Sequence, residues 1–238
     1  LAARLTDEAR RVPDTDWHLE RLYDFADALG ASVLVATHSR FVIDPNRPLN
    51  GGSLYPGQSL TGQCPVDLFD DQPLYRDPSD VPGEAEIAAR REAVWQPYHA
   101  QLAQELARIK AQHGLAALWD AHSIRSVLPR FFEGRLTDLN LGTANGASCD
   151  PALAEQLLAI GQSAPGYTAV LNGRFKGGHI TRQYGNPAQG IHAVQLEMTQ
   201  CSYMQESWPF GYLPDVAAGV QPHVRKMLEA VLAFVEPH

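Results

Sequence analysis

The chain has 238 residues, of which 45% are hydrophobic, which suits one large α/β domain or two small ones. Its formal net charge is −8 and it carries no basic tract, so nucleic acid is not an expected partner. No apolar run is long enough for a membrane span, and no signal peptide is recognisable. Three cysteines without CxxC spacing suit a reducing compartment, so we expect a cytoplasmic protein with no membrane partner.

The first third of the chain is predicted to contain two helices and one short strand, followed by a long irregular segment. Residues 2–11 and about 17–29 have helical patterns, and the second helix follows the N-cap type residue Asp16. Residues 32–36, Ser-Val-Leu-Val-Ala, are typical of a buried strand. Residues 44–83 are rich in Pro, Gly and Asp and predict a long irregular segment, which is usually functional when ordered.

The rest of the chain alternates helices with strands. The longest helical pattern covers residues 84–113, where Pro97 should kink or divide the helix. The elements predicted after it are a strand at 115–121, a loop at 127–150, a helix at 151–161, strands at 167–172 and 191–198, and a helix at 222–235. This alternation predicts a single α/β domain with a mixed, mostly parallel sheet flanked by helices.

A histidine at the end of an apolar run is the first candidate for chemistry. Residues 115–119 are apolar, and Asp120 and His122 follow directly. Open α/β sheets bind ligands beyond the carboxyl ends of their strands. Imidazole is a preferred zinc ligand, and a nearby carboxylate often fixes its tautomer. The alternative is a hydrogen-bonded core histidine, and the residues alone leave both open.

A cluster of arginines and polar residues follows the predicted strand at 32–36. Arg40, Asp44, Asn46 and Arg47 lie within eight positions. Arginine binds carboxylates through two parallel hydrogen bonds, and an asparagine adds directional donors. The cluster is either a clamp for a substrate carboxylate or a surface turn with incidental ion pairs.

Two later segments also carry charged groups of interest. Alternation in 191–198 places Val194 and Leu196 on one face and Glu197 on the other. Glu197 is either a partly desolvated general base or a solvent-facing residue of an edge strand. Residues 173–182 combine three cationic side chains with three glycines and predict a loop that attracts anions, although their spacing matches no nucleotide-binding motif.

Five segments carry a family resemblance that covers nearly the whole chain. They are 34–48 (LVATHSRFVIDPNRP), 54–65 (LYPGQSLTGQCP), 118–149, 171–185 (LNGRFKGGHITRQYG) and 192–204. Together they resemble the N-formylglutamate amidohydrolase family, which is similar to the zinc carboxypeptidase and aspartoacylase group. The resemblance implies a zinc carboxypeptidase-like (phosphorylase/hydrolase-like) fold and zinc-dependent hydrolysis of N-formyl-L-glutamate to L-glutamate and formate, a step of histidine degradation.

The resemblance also implies roles for particular residues. Arg40, Asn46 and Arg47 would hold one carboxylate of a small dicarboxylate substrate, with Lys176 and Arg182 as candidates for the other. His122 matches a zinc histidine, and Glu197 matches the general-base glutamate. Asp16 matches a carboxylate zinc ligand, and its alternative is a plain helix N-cap.

One departure from the family pattern concerns the start of the chain. The family begins with a strand that ends in a Pro-His-x-Gly motif whose histidine binds zinc, and this motif is absent from the chain. We therefore expect a domain that lacks an N-terminal strand, retains His122 and Asp16 as zinc ligands, and holds zinc weakly or not at all. Two alternatives stay open: a hydrolase of another N-acyl amino acid, such as an N-acylaspartate, and a metal-free carboxylate-binding protein.

Overall fold

A four-stranded sheet forms the centre of the molecule. The computed structural model describes residues 1–49 and 61–236. The strands are β1 (Ala116–Ile124), β2 (Leu139–Gly142), β3 (Ala169–Leu171) and β4 (Ile191–Thr199). Their order is β1-β4-β2-β3, with β1 parallel to β4, β2 parallel to β3, and β2 antiparallel to β4. The predicted α/β fold with a mixed, mostly parallel sheet is confirmed.

Helices cover both faces of this sheet. Among the described residues, the α-helices are α1 (Leu19–Leu22), α2 (Glu84–Arg90), α3 (Gln96–His113), α4 (Pro151–Gln162), α5 (His179–Tyr184) and α6 (Pro214–Val235). The main core forms where α4 and α6 pack on one face, and it includes Leu157, Leu196 and Met227. A smaller core forms on the other face under α3 and α5, around Leu106 and Ile180. The sheet is therefore buried on both sides.

The alternation of β4 decides which side chains enter each layer. Val194 and Leu196 pack into the main core, as predicted. Glu197 lies on the opposite face and is buried, with 8% of its surface exposed. Because β4 pairs with β1 on one side and with β2 on the other, it is an interior strand. The alternative of a solvent-facing glutamate on an edge strand is wrong.

The N-terminal helix predictions are largely wrong. Residues 2–11 form two short 3₁₀ turns, Ala2–Arg4 and Ala9–Arg11, and the predicted helix at 17–29 is reduced to α1 and a 3₁₀ turn at Asp27–Leu29. The N-cap of α1 is His18, which has a positive φ and makes no capping hydrogen bond through its side chain. The carboxylate of Asp16 instead accepts a hydrogen bond from the backbone of Ser123, so this capping side chain is used in a tertiary contact.

The predicted strand at 32–36 is also wrong. These residues form no strand with any described residue, and Val33 and Val35 are 59% and 60% exposed. A β-type sequence forms a strand only beside a partner, because its backbone groups bond between strands. The outer edge of β1 likewise has no strand partner within the described residues. Residues 31–36 and β1 line the same cavity of about 1260 Å³.

Later elements agree with the predictions, with three differences. The predicted loop at 127–150 contains the buried strand β2, α5 was not predicted, and α6 begins at Pro214 with Pro222 inside it. The predicted break near Pro97 is present as a π-helical turn, Arg91–Trp95, between α2 and α3. Proline lacks the N–H that a continuous α-helix would use there.

The irregular segment predicted at 44–83 is irregular where it is described, apart from short turns such as Pro78–Asp80, and its residues 50–60 lie outside the described residues. Part of the family segment 54–65 lies there as well. Cys64, Cys149 and Cys201 are free thiols. Within 1–49 and 61–236, no helix combines the length and the apolar character that a membrane crossing requires.

Candidate active site

His122 and Glu197 meet at the carboxyl ends of two parallel strands. They are register partners in the β1–β4 pair, so their side chains lie on the same face of the sheet. That face is the one covered by α3 and α5, and both residues line the cavity together with Asp16, Arg40 and Arg47. The structure thus brings a predicted metal ligand and the predicted general base together.

His122 lies between two carboxylates. Its Nε2 is 2.9 Å from Oδ1 of Asp120, and its Nδ1 is 3.6 Å from Oδ2 of Asp16. Oδ2 of Asp120 accepts a hydrogen bond from Thr181, which fixes that carboxylate. Burial alone would lower the pKa of His122, but Asp120 and Asp16 outweigh it and raise the pKa well above its usual value. Because the Asp120 carboxylate contacts Nε2, the other ring nitrogen, Nδ1, faces Asp16.

Asp16 reaches this site from the segment before α1. Its Oδ1 accepts a hydrogen bond of 2.6 Å from the backbone N of Ser123, one residue beyond His122. Because the N-cap of α1 is His18, Asp16 is not a helix cap, and that alternative is wrong. Its Oδ2 remains on the side of His122, so the carboxylate bridges the N-terminal segment and the end of β1.

Glu197 is held by its neighbour on the same strand face. Its Oε2 accepts a hydrogen bond of 2.9 Å from the side-chain amide of Gln195. The amide oxygen of Gln195 in turn accepts a hydrogen bond from the backbone N of Gly178, which sets the orientation of the amide. Burial is the main cause that raises the pKa of Glu197 to about 7, and the charge of His122 opposes it. A carboxyl group with a pKa near neutrality can both accept and return a proton.

The arginine cluster after residue 39 is folded around one buried carboxylate. Asp44 accepts a hydrogen bond from Arg40 at 2.5 Å and lies 3.7 Å from Arg47. The side-chain hydroxyl of Thr61 accepts hydrogen bonds from both arginines. Burial would raise the pKa of Asp44, but the two guanidinium groups outweigh it and lower the pKa. Arg40 also has a buried Nε that bonds to none of the described residues, which leaves one donor for a ligand.

Asn46 connects this cluster to His122. Its Nδ2 is 3.1 Å from Nε2 of His122, and its Oδ1 accepts a hydrogen bond of 2.9 Å from the backbone N of Ile180. A Cβ placed on Gly178 would come within 2.3 Å of Nδ2 of Asn46, so this contact requires glycine at position 178. The turn is thus closed against α5, and the alternative of an exposed surface turn is wrong for Asn46, which is 7% exposed.

The basic loop at 173–182 contributes differently from what the sequence predicts. Arg174, not Lys176 or Arg182, is among the residues that line the cavity. The guanidinium of Arg174 donates to the backbone O of Phe131, and that of Arg182 donates to the backbone O of Gly177. The predicted roles of Lys176 and Arg182 in binding a second carboxylate stay predictions, and Arg174 is a further candidate on grounds of position.

The donors at the end of β1 suit part of a zinc site. Nitrogen and carboxylate oxygen are usual zinc ligands, and two ligands of one zinc ion lie about 3.3 Å apart, which follows from bonds of about 2 Å in a tetrahedral site. The 3.6 Å between Nδ1 of His122 and Oδ2 of Asp16 is close to this value. Asp120 on Nε2 is the outer partner that zinc-binding histidines usually have. No group of three or more suitable side chains occurs within the described residues.

Several contributors to the site were not found from the sequence. Gln195 and Thr181 fix the orientation of Glu197 and Asp120, and Thr61 accepts hydrogen bonds from the two arginines of the cluster. The alternation of β4 offered a signal for Gln195, because residues two apart on a strand share a face. Thr61 and Thr181 are distant in sequence from their partners, and no local pattern marks them.

Comparison with known proteins assigns this chain to a family. The model of the N-formylglutamate amidohydrolase family matches residues 1–204. The N-formylglutamate deformylase of Pseudomonas aeruginosa is 55% identical over 232 residues, covering 98% of this chain and 86% of that protein. The N-formylglutamate deformylase of Pseudomonas putida is 54% identical over 230 residues, covering 97% of this chain and 85% of that protein.

Solved structures support the fold. The crystal structure of N-formylglutamate amidohydrolase from Ralstonia eutropha JMP134 superposes with a TM-score of 0.81 at 24% identity, covering 98% of this chain and 88% of the other. A gene product of Agrobacterium tumefaciens superposes with a TM-score of 0.60 at 22% identity, covering 83% of this chain and 69% of the other. At these identities the likeness concerns the fold alone.

Proposed function

Because the chain belongs to the N-formylglutamate amidohydrolase family, we propose that it hydrolyses N-formyl-L-glutamate to L-glutamate and formate. The observation that carries this proposal is the buried Glu197, with its pKa raised to about 7, beside His122 and in the same cavity as a cluster of arginines. A formamide hydrolase needs a proton acceptor near neutrality, and a dianionic substrate needs cationic groups that orient it.

The reaction requires one water and one proton acceptor. The oxygen of the water adds to the formyl carbon while Glu197 accepts a proton at its carboxylate. Cleavage of the carbon–nitrogen bond then releases formate, and Glu197 returns the proton to the departing amino nitrogen. Gln195 holds Glu197 in place for both transfers through the hydrogen bond to Oε2.

Binding of the substrate is assigned to the arginine cluster. Arg40, Asn46 and Arg47 line the cavity, and we assign one substrate carboxylate to them. Asp44 offsets part of their charge and holds Arg40 in position. The second carboxylate is assigned to the basic loop, where Lys176 and Arg182 are the predicted partners and Arg174 lies at the cavity wall.

Zinc is part of the proposal, with His122 and Asp16 as ligands. When bound, zinc supplies a Lewis acid that polarises the formyl oxygen and lowers the pKa of a water molecule. Catalytic zinc sites normally use three protein ligands. Within the described residues, His122 and Asp16 are the two side chains that we assign to zinc, and their facing atoms lie 3.6 Å apart.

Measuring the released acid tests the proposed function. Purified chain supplied with zinc is incubated with N-formyl-L-glutamate or N-acetyl-L-aspartate, and formate, acetate and free amino acid are quantified. We expect formate and glutamate in equal amounts and at least a hundredfold less acetate. Acetate release at a comparable rate would favour another N-acyl amino acid as substrate. Binding of glutamate with no turnover at any zinc concentration would favour a carboxylate-binding protein.

A further inference from the structure

We propose that Trp95 and His99 are positioning residues that hold the turn Asp44–Arg47 so that Asn46 and Arg47 face the substrate. This inference rests on the proposed function, in which Asn46 and Arg47 bind a substrate carboxylate. Neither ring has a catalytic role in it. Both act through the backbone of the turn.

Two ring nitrogens bind the carbonyl groups on either side of Asn46. The indole Nε1 of Trp95 donates to the backbone O of Arg47 at 3.1 Å. Nε2 of His99 lies 2.9 Å from the backbone O of Pro45, which can only accept, so this nitrogen carries the proton. Trp95 and His99 are one helical turn apart, and their rings stack at a centroid distance of 3.8 Å. The two donors therefore form one rigid unit.

His99 is fixed from its other side as well. Its Nδ1 lies 2.8 Å from the hydroxyl of Tyr184 at the end of α5. The ring is buried, with 6% of the residue exposed, and burial lowers the pKa of His99. A neutral ring with a proton on Nε2 has an acceptor at Nδ1. The Tyr184 hydroxyl also lies 3.1 Å from the backbone O of His99, so its single proton is shared between these two acceptors. The ring therefore connects α5 to the turn, and α5 also supplies the backbone N of Ile180 to Asn46.

The π-helical turn before α3 explains how side chains from α2 and from the turn both contact the segment 42–47. Arg90 donates to the backbone O of Val42 at 2.8 Å, and Trp95 donates to Arg47, five positions later on each segment. In a regular α-helix, residues five apart point about 140° away from each other, at 100° per residue. A π turn, whose hydrogen bonds join residues i and i+5, rotates less per residue and so reduces this angle. The irregularity thus directs Arg90, Trp95 and His99 at one segment.

The hydrogen bonds to the Pro45 and Arg47 carbonyl groups stabilise the turn, which belongs to no strand or helix. The Pro45 carbonyl belongs to the peptide plane before residue 46, and the Arg47 carbonyl belongs to the plane after residue 47. Holding both planes restricts where the Asn46 side chain and the Arg47 guanidinium point. Both line the cavity. Binding groups must be held to within about half an ångström of the productive geometry to work well. Loss of either ring donor should therefore weaken binding of the substrate and leave the proton transfer by Glu197 nearly unchanged.

Steady-state kinetics of ring variants test this inference. Trp95→Phe and His99→Phe keep an aromatic ring and remove the donor, while His99→Gln restores a donor. With N-formyl-L-glutamate and zinc, we expect KM to rise about three- to tenfold in both phenylalanine variants, as for one lost hydrogen bond. We expect kcat to stay within about twofold, and His99→Gln to recover most of the lost KM. Trp208→Phe, which changes an exposed indole that is not among the residues lining the cavity, is the control and should not change KM.

A double-mutant cycle separates positioning from a general loss of structure. If Trp95 acts through Arg47, Trp95→Phe should change KM by less than about twofold in an Arg47→Lys background. Equal effects in both backgrounds would overturn the inference, as would unchanged KM in both phenylalanine variants. Urea unfolding of each variant checks that it is folded, and if Trp95→Phe is not, the same cycle is made with His99→Gln and His99→Phe.

Failure of the proposed function is distinguished from failure of the positioning role by the behaviour of the wild-type chain. A wild-type chain that releases no formate refutes the proposed hydrolysis, and the comparison then uses binding of L-glutamate by calorimetry. A Kd that is raised at least threefold in Trp95→Phe would still support positioning of a carboxylate site. A wild-type chain that neither turns over N-formylglutamate nor binds glutamate refutes both.

Discussion

His122 and Glu197 are direct register partners on the parallel strands β1 and β4, and each lies near the carboxyl end of its strand. Neighbouring strands are about 4.8 Å apart, so the two side chains leave the sheet side by side. Pairing in register therefore places the proposed base, Glu197, beside the proposed zinc ligand, His122, without help from any loop. The arginine cluster lines the same cavity but belongs to an irregular segment, which is held by hydrogen bonds from Trp95 and His99.

Glu197→Gln should fold normally and lose nearly all turnover. Glutamine fills the same volume, but it cannot accept a proton from water. Removal of a general base typically lowers the rate by about 10²–10⁴. Initial rates of formate release at saturating substrate measure the effect, with Glu229→Gln on α6 as the matched control. A variant that keeps more than about a tenth of the wild-type kcat would remove Glu197 from the base role.

Arg47→Lys should raise KM for N-formyl-L-glutamate at least tenfold. Lysine keeps the charge but loses the planar set of donors that binds a carboxylate at two points. The guanidinium also donates to Thr61 and to the backbone O of Asn46, and a lysine cannot make all of these bonds. Kinetics of Arg225→Lys, an exposed arginine paired with Glu229, provide the control. An increase of less than twofold would contradict the role of Arg47 in binding.

Asp16→Asn should weaken zinc binding at least tenfold and leave the fold intact. The amide oxygen can still accept from Ser123, but a neutral amide is a poorer zinc ligand than a carboxylate. Zinc content after dialysis against a graded chelator series gives the affinity, with Asp27→Asn as the control. Chelation of the wild-type protein should abolish formate release, and zinc should restore it. Full activity in rigorously metal-free protein would exclude the zinc proposal.

The stability of the fold should fall between about pH 6.5 and pH 4 because of His179. Burial, followed by the charge of His99, lowers the pKa of His179 to about 4, and its buried Nε2 bonds to none of the described residues. The unfolded chain binds a proton near pH 6.5 and the folded chain does not, so acid favours unfolding. We expect His179→Gln to reduce the loss of unfolding free energy between pH 7 and pH 5 by about 1–2 kcal/mol.

Urea titrations at the two pH values measure this effect. His113→Gln, which removes an exposed histidine at the end of α3, should leave the pH dependence unchanged. If His179→Gln and wild type lose the same unfolding free energy on acidification, His179 is already protonated in the folded state or stays neutral in both states.

The sequence predicted the elements that carry their own periodic signal. The alternation of β4 and the apolar run of β1 gave both strands and the face of Glu197, and Pro97 marked the break before α3. β2 was missed because it is short and buried on both sides, so it shows no alternation. The strand predicted at 32–36 failed for the opposite reason. Its composition is that of a strand, but a strand also requires a partner, and composition cannot supply one.

Two features made part of the site predictable. His122 and Glu197 stand near strand ends, and Arg40, Asn46 and Arg47 form a dense polar cluster, although residues 32–36 before it form no strand. Arg40, Asn46, Arg47, His122 and Glu197 all line the cavity. The residues that orient them, such as Gln195 and Thr181, act through contacts that only the folded chain makes. Trp95 and His99 are examples: both belong to the long helical pattern at 84–113, which gives no sign that the His99 ring lies against the Pro45 carbonyl.

The outer edge of β1, which has no strand partner within the described residues, and the exposed segment at 31–36 have a consequence for handling this chain. A strand edge without a partner and exposed valines both favour intermolecular β-pairing, which natural proteins suppress with charged side chains. We therefore expect the chain to aggregate as its concentration is raised. Val33→Lys and Val35→Lys together should raise the concentration at which light scattering begins.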